Sequence, residues 1–326
     1  MRTRTACAFV GGLLLTFLMP ACRPARESSP AETPTASVTA AAATAPPAGA
    51  PIVVKDAGFR TPESVLYDDE SDVYLVSNIN GSPVAADGNG FISRLDAEGK
   101  VLDLKWIDGS KAGASLDGPK GMAFVGPVLY VADITSVKKF DRKTGKALGK
   151  VTVPGATFLN DLSAAPDGSV YASDSGLSEG KAGLEGNGSD AIYRISAGGK
   201  AETVIKNKTL GFPNGLLADA DGVWVVTFGS GELYRVTRRG TKQNAQKLPV
   251  GHLYGIVRTA DGSLLVSSWE EGSSVLRGAP GATFTPVITG VASPADIAYD
   301  SKRARVWIPL FTGDAVEIHT LAPPQP

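Results

Sequence analysis

Seven residues spread along the chain have side chains that do chemistry in combination: Glu63, Lys120, Asn160, Asp161, Asn214, Tyr254 and Asp296. Gathered in one place, Glu63, Asn160 and Asn214 offer one carboxylate and two amide oxygens. A hard cation takes several oxygen ligands, and carboxylates neutralise its charge. Lys120 and Tyr254 offer an ammonium and a phenol, the candidate acid and base. The two sets compete, because Lys120 repels a divalent ion. At about 4 Å from Glu63 its attraction is roughly 4 kcal/mol gross at an effective dielectric of 20, before desolvation is counted. Two arrangements follow: a cation held on oxygen, or a Glu63–Lys120 pair in its place.

A repeat is what brings these residues together. Six segments share a polar step, an apolar strand, a turn and a second apolar strand. They are TPESVLYDDESDVYLVSN from Thr61, GPKGMAFVGPVLYVAD from Gly118, FLNDLSAAPDGSVYASD from Phe158, FPNGLLADADGVWVVTF from Phe212, LYGIVRTADGSLLVSSW from Leu253 and SPADIAYDSKRARVWIPLF from Ser293. Their equivalent residues Glu63, Lys120, Asn160, Asn214, Tyr254 and Ala295 are spaced 57, 40, 54, 40 and 41 apart. A period of about 40 suits a four-stranded propeller blade. The two long intervals hold Gly-rich insertions, Asn80–Gly90 and Gly176–Ser189, which read as loops. Asp167-Gly168, Asp221-Gly222 and Asp261-Gly262 sit between apolar runs as hairpin turns. Alternating third strands follow in FISRLD, VKKFDR, AIYRIS, GELYRV and SVLRG.

The expected fold is all-β, a six-bladed β-propeller over residues 52–321. Six in-phase copies argue against the rival β-sandwich. The sixth copy ends near Leu321 after three strands, so PIVVKD at 51–56 supplies the fourth and strands from both termini close the ring. Equivalent positions in successive blades converge near the axis at one face. Glu63, Lys120, Asn160, Asn214 and Tyr254 then line one pocket, with Ala295 its apolar member. Asp161 and Asp296 stand one residue further on, where three other copies carry Gly. They either join the pocket or cap neighbouring backbone N–H groups.

The repeats resemble the senescence marker protein/gluconolactonase family, which includes regucalcin. The similarity covers residues 52–321. It is carried by Pro62-Glu63-Ser64, by Phe158-Leu159-Asn160-Asp161 and by Pro213-Asn214-Gly215. The resemblance implies a divalent cation, usually calcium, in the central channel, with Glu63, Asn160 and Asn214 matching three of the family's four ligands. It implies hydrolysis of a lactone or small ester. Three departures weaken that implication. Tyr254 stands where the family has the Asp that is ligand and proposed base, Phe158 where substrate-binding members carry Arg, and Lys120 adds a cation to the ring. A non-catalytic propeller binding a small ligand or a protein partner is the alternative.

The chain ahead of the repeats reads as an export and anchoring signal. Arg2 and Arg4 precede an apolar run from Ala6 to Met19, and Ala21-Cys22 resembles the end of a lipobox. Residues 1–21 are expected to be a signal peptide and Cys22 the lipidated N-terminus. Residues 22–51, rich in Pro, Ala and Thr, form a disordered tether, and residues 322–326 are a tail. The expected location is the cell envelope, periplasmic or cell surface, with the membrane reached through the lipid alone. After Arg2 and Arg4 are removed, 30 basic face 33 acidic residues, a net charge of −3 that argues against nucleic acid. Cys7 leaves with the signal, so the domain can hold no internal disulfide. No phosphate-binding glycine motif exists, and the two histidines, His252 and His319, make no plausible dyad. Trp106, Trp224, Trp269 and Trp307 are expected in blade cores rather than stacked on a ligand, with the channel rim as the alternative for Trp269, which ends a second strand.

Overall fold

The computed structural model describes residues 49–322 other than 271 and 273. The signal segment, Cys22, most of the tether and the end of the tail lie outside the described residues.

Among the described residues the regular elements are all strands, and they form one two-stranded sheet and six four-stranded antiparallel sheets, the blades. In five of them the strands follow chain order from the axis outwards. Blade 1 runs Pro62–Asp68, Val73–Asn78, Phe91–Leu95, Val101–Asp108. Blades 2 to 5 begin with inner strands Pro119–Val125, Leu159–Ala164, Pro213–Asp219 and Leu253–Arg258. Blade 6 holds Ala298–Asp300, Arg305–Leu310 and Ala315–Thr320, and its outer strand is Ile52–Val54 from the other end of the domain. Ile52 pairs with Ile318 and Val54 with Val316. This is the predicted β-propeller with the predicted closure.

Apolar alternation on both faces of each sheet explains the ring. Six buried apolar clusters lie one at each junction between neighbouring blades. The cluster between blades 6 and 1 contains Trp307 and Tyr74, stacked at 3.6 Å, with Ile52 and Val54 packed on it. Each blade is thus stabilised by burying both its faces against neighbours, which no single blade achieves alone. At the axis the inner strands of blades 1 and 6 also join directly. Val65 N donates to Asp296 O at 3.1 Å, and Asp296 N donates to Glu63 O at 2.9 Å.

One expectation is corrected. Gly176–Ser189 is not simply a loop: Leu177–Gly180 and Gly183–Gly186 pair as a separate hairpin. Composition hid it because Gly brackets both strands. Asn187 N closes the base on Gly176 O at 2.8 Å. Asn80–Gly90 contains no strand.

Candidate functional site

The anchors reach the axis because the inner strands are bulged there. In blades 1 to 5 the pairing of the first and second strands shifts register at the anchor: after Pro62, Pro119, Leu159, Pro213 and Leu253. A bulge leaves a residue unpaired and re-aims its side chain. Second-strand serines hold the displaced backbone. Ser77, Ser173 and Ser267 hydroxyls accept from Ser64, Asp161 and Gly255 amides at 3.0, 2.9 and 2.8 Å. Ser173 and Ser267 in turn donate to the anchor carbonyls of the next blade, Asn214 O and Ala295 O, each at 2.7 Å. At the ends of these strands Asn78, Asp133 and Asp174 accept from the amides of Arg60, Gly118 and Phe158, fixing the entry into each inner strand. These positioning residues were missed in the sequence. Their signal is the recurrent polar ending of the second strand in LVSN, YVAD, YASD and LVSS.

Lys120, Asn160, Asn214 and Tyr254 line one cavity of about 520 Å³ at the face where the inner strands begin. Glu63 is fully buried behind it and is reached through Tyr254, whose hydroxyl donates to Glu63 Oε1 at 3.0 Å. The other carboxylate oxygen, Oε2, is buried without a partner, and so is Asn160 Oδ1. Asn160 Nδ2 donates to Ser175 Oγ at 2.9 Å, and Asn214 Nδ2 makes a long 3.5 Å contact with Leu253 O. Burial and the nearby Asp296 carboxylate push the Glu63 carboxyl up to about 8. The structure therefore brings the three expected oxygen donors to one region. No cluster of three His, Cys, Asp or Glu side chains that could hold a metal is found among the described residues, so a cation here depends on the amide oxygens.

The expected Glu63–Lys120 pair does not form. Lys120 Nζ donates to Pro83 O and Gly118 O, both at 3.0 Å, and lies 4.5 Å from the Phe158 ring centroid. Two carbonyls and an aromatic face satisfy the ammonium, and Pro83 ties it to the Asn80–Gly90 insertion. Burial lowers Lys120 to about 8 against the opposing pull of Glu63 and Asp133. The expected Lys120–Tyr254 acid–base couple is absent too. Tyr254 is pushed well above the ordinary phenol range by burial and then by Glu63, and Asp296 and Asp161 add to the rise. It is a neutral donor, not a base.

Asp161 and Asp296 face the other way. Both line a separate cavity of about 620 Å³ toward the far ends of the inner strands. Asp161 accepts from the Leu162 and Leu216 amides, each at 2.6 Å, the second across the blade 3–4 junction. Asp296 accepts from the Ser64 hydroxyl at 2.5 Å across the blade 6–1 junction. Burial raises both carboxyls, Asp296 to about 7. Three of their four copies are glycines because the axis is crowded: a Cβ on Gly215 would lie 2.4 Å from Tyr254 O. The two aspartates pin blades together, the capping role, and are not in the Lys120 cavity.

Aromatic rings complete the cavity. Tyr254 stacks on Trp269 at 5.2 Å, and Phe311 and Phe228 meet Trp269 edge-on at 5.0 and 5.7 Å. Trp269 lines the cavity and not a blade core, the alternative placement, its Nε1 donating to Pro294 O at 2.9 Å. His252 lies against Phe228, and His319 pairs with Glu317 in a late strand.

No family profile matches the chain, and no curated protein matches it. Solved structures do. A gluconolactonase from Xanthomonas campestris matches with TM-score 0.55 at 17% identity, over 85% of this chain and 99% of its own. A calcium-binding regucalcin from Agrobacterium tumefaciens gives TM-score 0.58 at 16% identity, over 83% and 93%. A virginiamycin B lyase from Staphylococcus aureus, solved with quinupristin, gives 0.55 at 15% identity, over 83% and 98%. The likeness is one of fold: this chain shares the β-propeller of these structures.

Proposed function

We propose that the Lys120 cavity binds a divalent cation, calcium first, on Glu63, Asn160 and Asn214, and above it a small lactone or ester that is hydrolysed. One observation carries this reading. Glu63 Oε2 and Asn160 Oδ1 come from different blades, and both are buried acceptors without a partner. Such groups are costly unless something fills them. When bound, a cation supplies Lewis-acid polarisation of a carbonyl. The chain's own residues do the rest. Glu63 supplies the neutralising charge, and Tyr254 orients it by donating to Oε1. Asn160 and Asn214 add amide oxygens at the cavity floor. Lys120, lowered to about 8, is the lining group whose proton moves near neutral pH, and it is the proposed acid–base residue.

A second reading is favoured by the Tyr254–Glu63 bond, which puts a protonated phenol where the resembled family has its base. On that reading the propeller binds a small ligand or a protein partner without catalysis. Calorimetric calcium titration and hydrolysis of a lactone panel, with and without chelator, separate the two. Calcium binding that Glu63→Gln abolishes, with chelator-sensitive hydrolysis, is the expected result. Calcium binding without hydrolysis selects the second reading. Tight binding that Glu63→Gln leaves unchanged removes the site.

We also propose that the protein is an exported lipoprotein of the cell envelope, anchored through Cys22. Arg2, Arg4, the Ala6–Met19 run, Ala21 and the Pro/Ala-rich tether support it. One acyl chain anchors only marginally, so more than one is expected. Cys22→Ala should move the protein from the membrane to the soluble periplasmic fraction. Equal release of both forms would refute the anchor.

A further inference from the structure

The cavity has two tiers. Its floor is polar, made of the inner-strand residues Asn160, Asn214 and Tyr254. Its walls are largely apolar, with Phe212, Phe228, Trp269 and Phe311 joined by Leu177 and Leu184 of the Gly176–Ser189 hairpin. Both insertions that break the 40-residue period thus border the cavity, since Pro83 of the other one lines it as well.

The hairpin wall is docked by a built contact. Phe212 has a left-handed backbone, φ 57°, a strained state for a bulky residue. Its amide is held there by Asp190 Oδ2 at 2.9 Å. Its ring lies between two glycines: a Cβ on Gly186 of the hairpin would sit 2.7 Å from it, and one on Gly229 would sit 2.5 Å away. Strain persists only where surrounding structure imposes it, and it gathers at ligand clamps.

Several polar groups on the walls are already engaged. Asp314 accepts from the Thr61 amide at 2.7 Å and from Arg60. Ser175 donates to Pro213 O at 2.8 Å and accepts from Asn160. Thr312 pairs with Ser293 at 2.9 Å. A polyhydroxylated ring would therefore bring hydroxyls to walls that offer them few partners, while an apolar body would lose nothing there.

Resting on the cation-and-lactone reading, we propose that the ligand is a neutral carbonyl compound with an aromatic or alkyl body, an aryl lactone or ester, and not a sugar lactone. The carbonyl meets the polar floor, and the ring lies against Trp269, Phe311 and the hairpin leucines. A volume of about 520 Å³ suits a small molecule of this kind.

Dihydrocoumarin and D-glucono-1,5-lactone are the probes. Binding is read by calorimetry and by quenching of tryptophan fluorescence, subtracting the Trp269→Phe protein. Wild type should bind dihydrocoumarin at least about tenfold more tightly than the sugar lactone. Leu184 is 44% exposed, so Leu184→Glu should fold normally. It should weaken dihydrocoumarin by about tenfold, the expected effect of losing part of one apolar contact. Phe311→Ala should do the same, with melting temperature as the control for both. Equal or tighter binding of the sugar lactone overturns the proposal, as does indifference of dihydrocoumarin to Leu184→Glu. Repeating the titration in chelator separates the two readings. Dihydrocoumarin binding that persists without calcium keeps the apolar cup and removes the cation, while calcium binding without dihydrocoumarin binding does the reverse.

Discussion

Tyr254 in blade 5 donates its hydroxyl proton to Glu63 Oε1 in blade 1 at 3.0 Å, so two non-adjacent blades meet at the axis through one hydrogen bond. The bond satisfies only one oxygen of a carboxylate that burial has already made reluctant to ionise. It also commits the phenol as a donor. The pair therefore leaves Glu63 with one open acceptor, and what fills that acceptor decides the chemistry of the cavity.

A first prediction is a pH dependence of known sign. Glu63 rises from 4.5 to about 8 on folding, and Asp296 from 3.8 to about 7. A raised carboxyl stabilises the fold fully below its unfolded value, and that contribution is lost as pH rises through the folded value. Cation-free protein should thus melt at lower temperature as pH goes from 5 to 8, losing up to about 1.4 kcal/mol per pH unit per group, and the fall should end above 8, where the lowered Lys120 acts with the opposite sign. Glu63→Gln should make the slope shallower, leaving the part that Asp296 and Asp161 contribute. Calcium should bind more tightly as pH rises, because it competes with the Glu63 proton. Melting curves in chelator from pH 5 to 9 decide it; a flat wild-type profile contradicts the assignment.

A second prediction concerns the position of Tyr254. Tyr254→Asp adds a carboxylate to the floor and removes the donor on Glu63. Calcium should bind at least about tenfold more tightly, since each added carboxylate neutralises more of the ion's charge. Adding Lys120→Met should tighten it further by removing a like charge. Tyr254→Phe should instead cost about 1–3 kcal/mol in cation-free protein, because Glu63 then has two buried acceptors without partners. Calorimetry and melting on the three variants test this; unchanged calcium affinity in Tyr254→Asp would mean the ion sits elsewhere.

The repeat made most of this fold legible. Six in-phase copies place Glu63, Lys120, Asn160, Asn214 and Tyr254 together without any coordinates, because equivalent positions in a ring must converge. What stayed hidden was direction. Asp161 follows Asn160 by one residue, yet it lines the cavity nearer the other end of the axis. The Lys120 side chain could not be placed either. Its partners are carbonyls at Pro83 and Gly118, groups every residue carries and no pattern marks. The hairpin wall was hidden for a third reason: its strands pair with each other across four residues each and show no alternation to read.

A third prediction separates pins from pocket. Asp161 accepts two buried amides, one of them across a blade junction. Asp161→Ala strands both and should lower stability by about 2–4 kcal/mol, while Asp161→Asn should recover part of the loss by keeping one acceptor. Calcium affinity should change by less than about twofold, since other residues would hold the ion. Denaturant unfolding beside calorimetry reads both quantities. A stable Asp161→Ala protein that has lost calcium binding would move Asp161 back into the site.

The last prediction tests the closure of the ring. Ile52–Val54 is only three residues long, but it completes blade 6 and covers the edge of Ala315–Thr320. Ile52 and Val54 are half-buried on the cluster that holds Trp307, and Val54 lies against Gly99 of blade 1, where a Cβ would come within 2.6 Å of it. Deleting residues 1–57 removes these contacts and exposes a strand edge, which invites association between chains. The apolar part alone should amount to about 2–4 kcal/mol for two partly buried side chains. In a domain of this size that is a fall in melting temperature of roughly 5–10 °C. Deleting residues 1–48 leaves the strand in place and should be nearly neutral. Because the longer deletion could act through Phe59 nearby, the full-length Ile52→Asp/Val54→Asp protein is the better control. It keeps every residue after the strand and puts charge only on the covered face. It should reproduce most of the fall and raise light scattering on heating. Matching melting temperatures for the two deletions, with an unaffected double variant, would show that the ring closes without its N-terminal strand.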